Sequence, residues 1–308
     1  MTKKEFHIAE DFGKGVRLDV FLSRQVRDFA RSEWQRFIDK KQVWVNGELR
    51  KPSYRLRDRD RVQAFFEIPE PAPMAAENIA LDLLYSDEHL AVVNKPSGLI
   101  VHPGAGKRTG TLVNALLFHF PEVSGLGPED RVGIVHRLDR ATSGAMVVAR
   151  SLAPYNELKR QFKSREVKKI YNALVWGKMP HPEGTLDWPI GRHIHHGQKY
   201  SIVTNKPRVA ITDYTVLREF AAHSLLEVRP HTGRTHQIRV HLSAAGHPVV
   251  GDRTYGTRKP QAEFPRLFLH ARRLGFRHPV TGDWREFEAP LPADLAAILS
   301  ALESESPN

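Results

Sequence analysis

The stretch Gly133-Ile-Val-His-Arg-Leu-Asp-Arg-Ala-Thr-Ser-Gly144 decides how the rest of the chain is interpreted. Two apolar residues follow its first glycine, polar residues fill its middle, and its last glycine leads into an apolar run. This pattern predicts a loop between two buried strands. Because a side chain on such a loop is held rigidly, as catalytic groups are, Asp139 is a candidate catalytic residue. From composition alone, Asp139 would equally suit a turn cap paired with a neighbouring arginine.

The charge balance narrows the class of protein. The 308 residues include 46 Lys and Arg against 35 Asp and Glu, which gives a formal net charge of +11. Such an excess favours a polyanionic partner, either nucleic acid or an acidic membrane face. The chain has no cysteine, which excludes disulfides, iron–sulfur clusters, thiolate zinc sites and cysteine nucleophiles and fits a reducing compartment. Without a secretory signal or an apolar run of membrane-spanning length, we expect a soluble, cytoplasmic protein.

The basic residues concentrate at the N-terminus. Residues 1–66 hold 16 Lys and Arg against 10 Asp and Glu, which accounts for more than half of the net charge. Apolar spacing predicts a helix over residues 18–26, and Ser32 with Gln35 predicts a capping box that opens a second helix. Alternating residues on either side of Asn46-Gly47 predict a hairpin with a returning strand. The sequence therefore predicts a small α/β domain of two helices followed by a short sheet.

Basic side chains surround the predicted second helix and would suit contacts to an RNA phosphate backbone. They are Arg31, Arg36, Lys40 and Lys41. A solvated charged face is the alternative interpretation of the same residues.

The N-terminal part also resembles the RNA-binding module of ribosomal protein S-four. The resemblance rests on VRLDVFL (16–22), RSEWQR (31–36), VWVNG (43–47) and DRDRV (58–62). The sequence departs from that family at Lys41-Gln42 and at Arg59, where glycines are common. The resemblance implies that residues 1–66 form an RNA-binding domain.

The composition changes after this domain. Residues 67–77 contain three prolines and no basic residue, which predicts a semi-rigid linker that we place at residues 67–81. Residues 82–302 mix apolar strands with helical patterns and predict one α+β domain with a sizeable sheet. Residues 303–308 predict a flexible tail.

Three other motifs do not support a function. The glycine-rich stretch 104–109 lacks the spacing of a P-loop, and kinase-like fragments occur in the wrong order, so phosphoryl transfer is not expected. The histidines at 193, 195 and 196 lack a carboxylate that would complete a metal site. We expect them to lie on a polar surface loop.

The signature around Asp139 resembles one family. His136-Arg-Leu-Asp-x-x-Thr-Ser-Gly144 is similar to the catalytic signature of the RluA family of pseudouridine synthases. Further segments resemble that family's motifs in the family's order: VNKPSGLIVHP (93–103), KIYNA (169–173) and TGRTHQIRVH (232–241). An S-four-like module in front of such a domain is a known arrangement of the family. Within it, the chain looks most like the branch that modifies large-subunit ribosomal RNA.

The resemblance implies an isomerase that needs no cofactor and no metal and that is built on a mixed, largely antiparallel sheet. Pseudouridine formation breaks the bond between ribose C1′ and uracil N1 and rejoins the base through C5. By resemblance, Asp139 acts near C1′, where it either attacks the sugar or removes a sugar proton. The carboxylate must start ionised, and by resemblance Arg239 is the cation paired with it. The resemblance places Tyr171 against the uracil as a candidate general base.

The substrate would be RNA from which the target base is extruded, because a uridine inside a stem cannot reach a buried carboxylate. Arg137 is the candidate to enter the vacated stack and His136 to shape its edge, with loop stabilisation as the alternative for both. Lys95, Arg234 and His236 are expected to contact phosphates. We expect a monomer. An RNA-binding assembly factor without activity is the second hypothesis, which the presence of Asp139 and Tyr171 disfavours.

Overall fold

The computed structural model describes residues 2–7, 12–26, 28–66, 74–103, 108–128, 131–194, 199–256 and 264–304. The chain divides into two compact units, Met1–Pro73 and Met74–Asn308. Within the described ranges, no helix has the length and apolarity needed to cross a membrane.

The described residues of the N-terminal unit form two helices and a four-stranded sheet. The elements are β1 (Thr2–His7), α1 (Leu18–Gln25), α2 (Arg31–Asp39), β2 (Val43–Val45), β3 (Glu48–Leu49) and β4 (Arg61–Phe66). The strands are antiparallel in the order β1-β4-β2-β3. Leu18 and Leu22 are buried on one face of α1, as their spacing predicts, and belong to one core with Trp34 and Phe66. The two predicted helices and the hairpin are confirmed, whereas β1 has no counterpart among the sequence predictions.

The start of α2 differs from the predicted capping box. The residue before the helix is Ala30, and its backbone N–H donates to the Glu33 carboxylate at 2.7 Å. Gln35 instead donates from Nε2 to Oδ2 of Asp19 at 2.8 Å. Asp19 is fully buried, so its carboxylate requires donors, and this demand draws Gln35 away from the helix end. The predicted Ser32–Gln35 capping box is therefore wrong.

Two basic residues of this unit occupy backbone conformations that favour glycine. Lys41 has φ 61° and Arg59 has φ 66°. These are the positions at which the S-four resemblance leads us to expect glycine. The turns of that module are thus present without their glycines, at a cost of about 1–2 kcal/mol for each residue that carries a Cβ.

The second unit is built on a nine-stranded sheet that is antiparallel apart from one pair. Its strands are β5 (Leu83–Ser86), β6 (Leu90–Lys95), β7 (Ser143–Ala149), β8 (Lys168–Trp176), β9 (Glu183–Asp187), β12 (Ile211–Glu219), β13 (His223–Pro230), β14 (Leu269–Arg277) and β15 (Trp284–Glu288). The order is β5-β6-β7-β14-β8-β13-β12-β9, with β15 beside β14, and only β7 and β14 run parallel. The predicted α+β class with a mixed, largely antiparallel sheet is confirmed.

Helices and a small hairpin complete the second unit. They are α3 (Leu112–His119), α4 (Leu152–Ser164), α5 (Gln237–Ala244) and α6 (Ala293–Ser304), with a two-stranded hairpin of β10 (Gly191–Arg192) and β11 (Tyr200–Ser201). Thr111 caps α3 by accepting the backbone N–H of Asn114.

Strand β7 is the buried centre of this unit. All seven of its residues are buried, because β6 and β14 flank it and core residues cover it. Gly144, with φ 118°, permits the close approach to β14, since a Cβ there would lie 2.2 Å from the backbone oxygen of Ala271. The apolar run after the Asp139 signature thus anchors the loop that carries Asp139.

The predicted boundaries of this unit shift at several points. Residues 74–81 of the predicted linker pack on the second unit, where Met74 and Leu81 lie against the core and Glu77 accepts the backbone N–H of Gly110. Residues 67–73 lie outside the described ranges. The predicted tail begins inside a helix, because α6 continues to Ser304. The loop of Asp139 also lacks the predicted strand before it, since only an isolated bridge joins Ile134 to β7.

We expect Lys41→Gly to raise the free energy of unfolding of the N-terminal unit by about 0.5–1 kcal/mol. Relief of the left-handed conformation outweighs the larger conformational entropy of an unfolded glycine. Hydrogen exchange of core amides in residues 18–66 measures the change. The matched control is Lys40→Gly, which should destabilise the unit because Lys40 has φ −79°. Equal effects of the two substitutions would contradict the strain at Lys41.

Candidate active site

A cavity of about 460 Å³ opens beside the Asp139 loop. The end of α4, the start of β8 and residues 230–239 form its other walls. Its volume falls within the range of small-molecule sites. Asp139 is the only acidic residue among those lining it, whereas six basic residues face it: Arg137, Lys163, Arg165, Lys169, Arg234 and Arg239. The cavity therefore favours an anionic ligand and keeps one carboxylate within it.

Arg239 joins Asp139 to a second carboxylate that the sequence analysis missed. Nη1 of Arg239 donates to Oδ2 of Asp139 at 3.0 Å. Nε and Nη2 bind the two oxygens of Asp252 at 2.7 and 2.9 Å. The side chain of Asp252 is fully buried and that of Arg239 is 9% exposed, while Asp139 remains 20% exposed toward the cavity. The predicted contact between Asp139 and Arg239 is present, and Asp252 fixes the guanidinium that makes it.

These contacts decide which groups carry charge. Burial opposes the charge of Arg239, but its hydrogen bonds to Asp252 and the nearby Asp139 outweigh this effect and raise the pKa of the guanidinium. Burial likewise opposes the charge of Asp252, and Arg239 together with the backbone N–H groups of Tyr255 and Thr254 lowers its pKa. The Asp252 carboxylate and the Arg239 guanidinium therefore stay charged next to Asp139.

Lys95 is not a phosphate contact, which corrects its predicted role. It is 1% exposed, at the end of β6. Its Nζ donates to the backbone oxygens of Pro96, Leu99 and Arg140 at 2.8, 3.0 and 3.3 Å. Burial lowers the pKa of Lys95 to about 7, against the attraction of Asp139. Lys95 therefore ties the loop after β6 to the loop that carries Asp139.

Tyr171 lies on β8 and lines the cavity. Burial raises the pKa of its phenol, and the Asp139 carboxylate raises it further. Both effects keep the hydroxyl protonated, so the surroundings oppose a phenolate that would act as general base. A neutral Tyr171 offers an aromatic ring and an O–H donor to a molecule in the cavity.

His136 is held inside the cavity wall rather than at a free edge. Its ring stacks on Phe162 at a centroid distance of 4.3 Å, and its Nε2 accepts the backbone N–H of Val147 at 3.1 Å. Burial and the charge of Lys169 lower the pKa of His136 to about 3, so the ring is neutral. These contacts favour the loop-stabilising alternative for His136.

Arg137 remains exposed at the cavity. Its Nη1 donates to Nε2 of His102 at 3.1 Å. Its exposed side chain lines the cavity, in keeping with the predicted entry into a base stack.

Arg234 and His236 both line the cavity, as their predicted contacts to a substrate require. Nε of Arg234 donates to the backbone oxygen of Val209 at 2.9 Å. Burial lowers the pKa of Arg234, with Arg208 and Arg165 adding to the effect. Nε2 of His236 lies 3.8 Å from Oδ1 of Asp139.

Three basic residues of the cavity were missed by the sequence analysis: Lys163, Arg165 and Lys169. They lie at the end of α4 and the start of β8; Lys169 opens the KIYNA segment without having been assigned a role there, and no motif includes Lys163 or Arg165. Burial and the charge of Arg165 together lower the pKa of Lys169 to about 8. A cluster of positive charges in which one residue lowers the pKa of another indicates that an anionic ligand would compensate these charges.

The basic residues of the N-terminal unit divide into two groups. Nε of Arg31 donates to buried Asp19 at 3.0 Å, and Asp19 also binds Arg17, while half of the Arg31 side chain stays exposed, so its contact to RNA stays a prediction. Arg36, Lys40 and Lys41 are exposed and have no acidic partner among the described residues. These three remain candidates for binding an RNA backbone.

The described residues contain no cluster of three or more His, Cys, Asp or Glu side chains that could hold a metal ion. Of the three histidines considered in the sequence, His193 lies in a described range, whereas positions 195 and 196 lie outside it.

Comparisons with known proteins agree with this geometry. The RNA pseudouridylate synthase family matches residues 89–244, and the S4 domain family matches residues 16–62. An uncharacterized RNA pseudouridine synthase of Aquifex aeolicus is 43% identical over 305 residues, which cover 96% of each chain. Ribosomal large subunit pseudouridine synthase D of Pseudomonas aeruginosa is 41% identical over 303 residues, which cover 94% of this chain and 93% of that protein.

Solved structures show the same fold. The structure of human RNA pseudouridylate synthase domain containing 1 superposes with a TM-score of 0.59 at 31% identity and covers 78% of this chain and 100% of that one. The relatives match nearly the whole chain in sequence, and the solved structure matches most of the chain. The chain therefore belongs to the RNA pseudouridylate synthase family, whose members isomerise uridine to pseudouridine in RNA.

Proposed function

We propose that this protein converts uridines of large-subunit ribosomal RNA to pseudouridine and that Asp139 is its catalytic carboxylate. One observation carries the catalytic assignment: among the described residues, the only acid that lines the basic cavity is paired with an arginine that a buried carboxylate holds in place. The choice of RNA rests on relatives such as ribosomal large subunit pseudouridine synthase D of Pseudomonas aeruginosa. We further propose that it acts in the cytoplasm, where such a substrate is found, and that it acts as a monomer.

The two oxygens of Asp139 would have different tasks. Oδ2 accepts the hydrogen bond of Arg239, whereas Nε2 of His236 lies 3.8 Å from Oδ1, beyond hydrogen-bond distance. Oδ1 is therefore the oxygen available to C1′ of a nucleotide, or to a sugar proton. In either route Arg239 would hold the carboxylate in place through its hydrogen bond to Oδ2. The isomerisation transfers one proton from C5 to N1 of the base in net terms and needs no oxidant.

Tyr171 would hold the detached base. Its ring faces the cavity on β8 and offers a flat apolar surface to uracil, while the neutral hydroxyl donates a hydrogen bond. Contact of this kind keeps the base near C1′ during its rotation. We assign Tyr171 this positioning task rather than that of the resident base.

The basic residues would bind the RNA backbone around an extruded nucleotide. Extrusion costs a few kcal/mol, which phosphate contacts and a side chain in the vacated stack offset. Exposed Arg137 is proposed for the stack, and Arg165, Lys169 and Arg234 are proposed for the phosphates. Arg36, Lys40 and Lys41 would extend binding to the N-terminal unit.

Replacement of the proposed catalytic carboxylate tests the assignment. We expect Asp139→Asn to lower the rate of pseudouridine formation by about 10²- to 10⁴-fold or more, because the amide can neither attack the sugar nor remove a proton. Detection of pseudouridine in transcribed ribosomal RNA measures the rate, and filter binding should show unchanged RNA affinity. Asp283→Asn, on an exposed turn, is the control that keeps activity. Turnover of Asp139→Asn within a few-fold of the unmodified protein would exclude Asp139 from the chemistry.

The lowered pKa of Lys169 predicts a pH dependence of RNA binding. Its ammonium is charged below the pKa of about 8 and loses that charge as the pH rises through it, so affinity should fall between pH 7 and 9. The loss is limited to about tenfold per pH unit, because one proton is involved. Arg165 and His136 are the neighbouring charged or titratable groups coupled to Lys169.

Lys169→Arg should flatten this profile, because arginine stays charged throughout the range. The control is Lys168→Arg on the adjacent residue, which pairs with Glu286 and should leave the profile unchanged. Binding of ribosomal RNA fragments at fixed ionic strength measures both variants. A profile for Lys169→Arg that matches the unmodified protein would show that another group titrates.

The N-terminal unit should contribute electrostatically. We expect the double variant Arg36→Gln/Lys40→Gln to weaken RNA binding and to reduce the slope of log Kd against log salt concentration by about 1–2. The control Lys178→Gln/Arg218→Gln removes the same charge from the ends of β8 and β12 that lie away from the cavity. Equal losses in the two double variants would mean that only net charge matters.

A further inference from the structure

Tyr255 contacts two groups beside the proposed catalytic carboxylate. Its hydroxyl lies 3.0 Å from the backbone nitrogen of Tyr200 and 2.8 Å from Nδ1 of His236. Its ring packs on the guanidinium of Arg239, 5.1 Å from the ring centroid. The residue thus connects the β10–β11 hairpin to both basic partners of Asp139, and no role follows for it from the proposed chemistry.

The protons available to each group identify the donor in the two hydrogen bonds of the Tyr255 hydroxyl. The backbone N–H of Tyr200 can only donate, so the hydroxyl oxygen of Tyr255 accepts it. The hydroxyl then has one proton to place, and Nδ1 of His236 is its acceptor among the described residues. If Nδ1 carried a proton instead, the hydroxyl proton of Tyr255 would have no acceptor there. A half-buried hydroxyl is therefore best satisfied when His236 accepts at Nδ1.

The charge state of His236 decides where its own proton lies. Burial lowers the pKa of His236, and the surrounding charges act in both directions. Asp139 and Asp252 raise it, whereas Arg239 and Arg137 lower it. The ring is therefore neutral near pH 7, and a neutral imidazole that accepts at Nδ1 carries its proton on Nε2.

The backbone of His236 is adapted to this placement. His236 precedes α5 in a left-handed conformation with φ 57° and ψ 20°. Such a conformation costs a non-glycine residue about 1–3 kcal/mol and is retained where the surroundings require it. Here it places Nδ1 at Tyr255 while Nε2 faces Oδ1 of Asp139 at 3.8 Å.

We propose that Tyr255 is a positioning residue that fixes His236 in the tautomer with its proton on Nε2, so that the ring presents an N–H donor to Oδ1 of Asp139. The proposal rests on the proposed function for its consequence in catalysis. The separation of 3.8 Å would close to a hydrogen bond when RNA excludes water from the cavity, as catalytic contacts often tighten in the substrate complex. His236 and Arg239 would then each bind one oxygen of the carboxylate, and Oδ1 would keep a second acceptor position for C1′.

The tautomer can be measured without activity. In protein labelled with ¹⁵N-histidine, His236 should show an unprotonated Nδ1 and a protonated Nε2, and its signals are assigned by their loss in His236→Gln. Tyr255→Phe keeps the ring on Arg239 but removes the hydroxyl, so a fraction of His236 should shift its proton to Nδ1. A proton on Nδ1 in the unmodified protein would overturn the proposal. This result is independent of whether Asp139 is catalytic.

A double-mutant cycle measures the consequence for catalysis. We expect Tyr255→Phe to lower kcat by up to about tenfold, the effect of one hydrogen bond, with KM within twofold. His236→Gln supplies an amide N–H at the position of Nε2 and has no nitrogen at that of Nδ1. Adding Tyr255→Phe to His236→Gln should therefore change kcat less than twofold. An undiminished loss in that background would show that Tyr255 does not act through His236.

Discussion

The active site depends on one arginine held between two carboxylates. Asp252 is buried and binds Nε and Nη2 of Arg239, which leaves Nη1 directed at Asp139. A buried guanidinium is stable only when its donors are matched by acceptors, so the position of Arg239 is determined before a substrate arrives. Because Arg239 lies on α5 and Asp252 on the segment that follows, Asp252 fixes the part of the cavity wall that contacts Asp139.

The site must satisfy opposite electrostatic demands. Binding a polyanion requires a positive cavity, whereas the chemistry requires an ionised carboxylate within it. One acid among six basic residues meets both demands, since neighbouring cations stabilise the anion and still leave a net positive charge. Some basic residues bind groups of the protein itself. Lys95 donates to backbone oxygens, and Arg31 of the N-terminal unit donates to buried Asp19.

The sheet brings these residues together from distant parts of the chain. Tyr171 lies at the start of β8, and the segment after β13 carries Arg234, His236 and Arg239. The loop of Asp139 enters β7, whose glycine at 144 allows the close parallel pairing with β14. Because β14 pairs with β8 and β8 with β13, the sheet joins the Asp139 loop to the segment that carries Arg239, so its packing sets the geometry of the proposed chemistry.

Local patterns in the sequence determined the two helices of the N-terminal unit, the turn at Asn46-Gly47 and the signature of Asp139, because each depends on neighbouring residues, whereas they indicated neither β14 nor α6. The pairing of Asp139 with Arg239 was accessible only through the family resemblance. Only the tertiary structure decided that Lys95 is buried, that Asp252 completes the ion pair and that Tyr255 contacts His236. Charge and hydrogen-bond capacity are properties of a residue, whereas burial and choice of partner arise when segments far apart in the chain pack together.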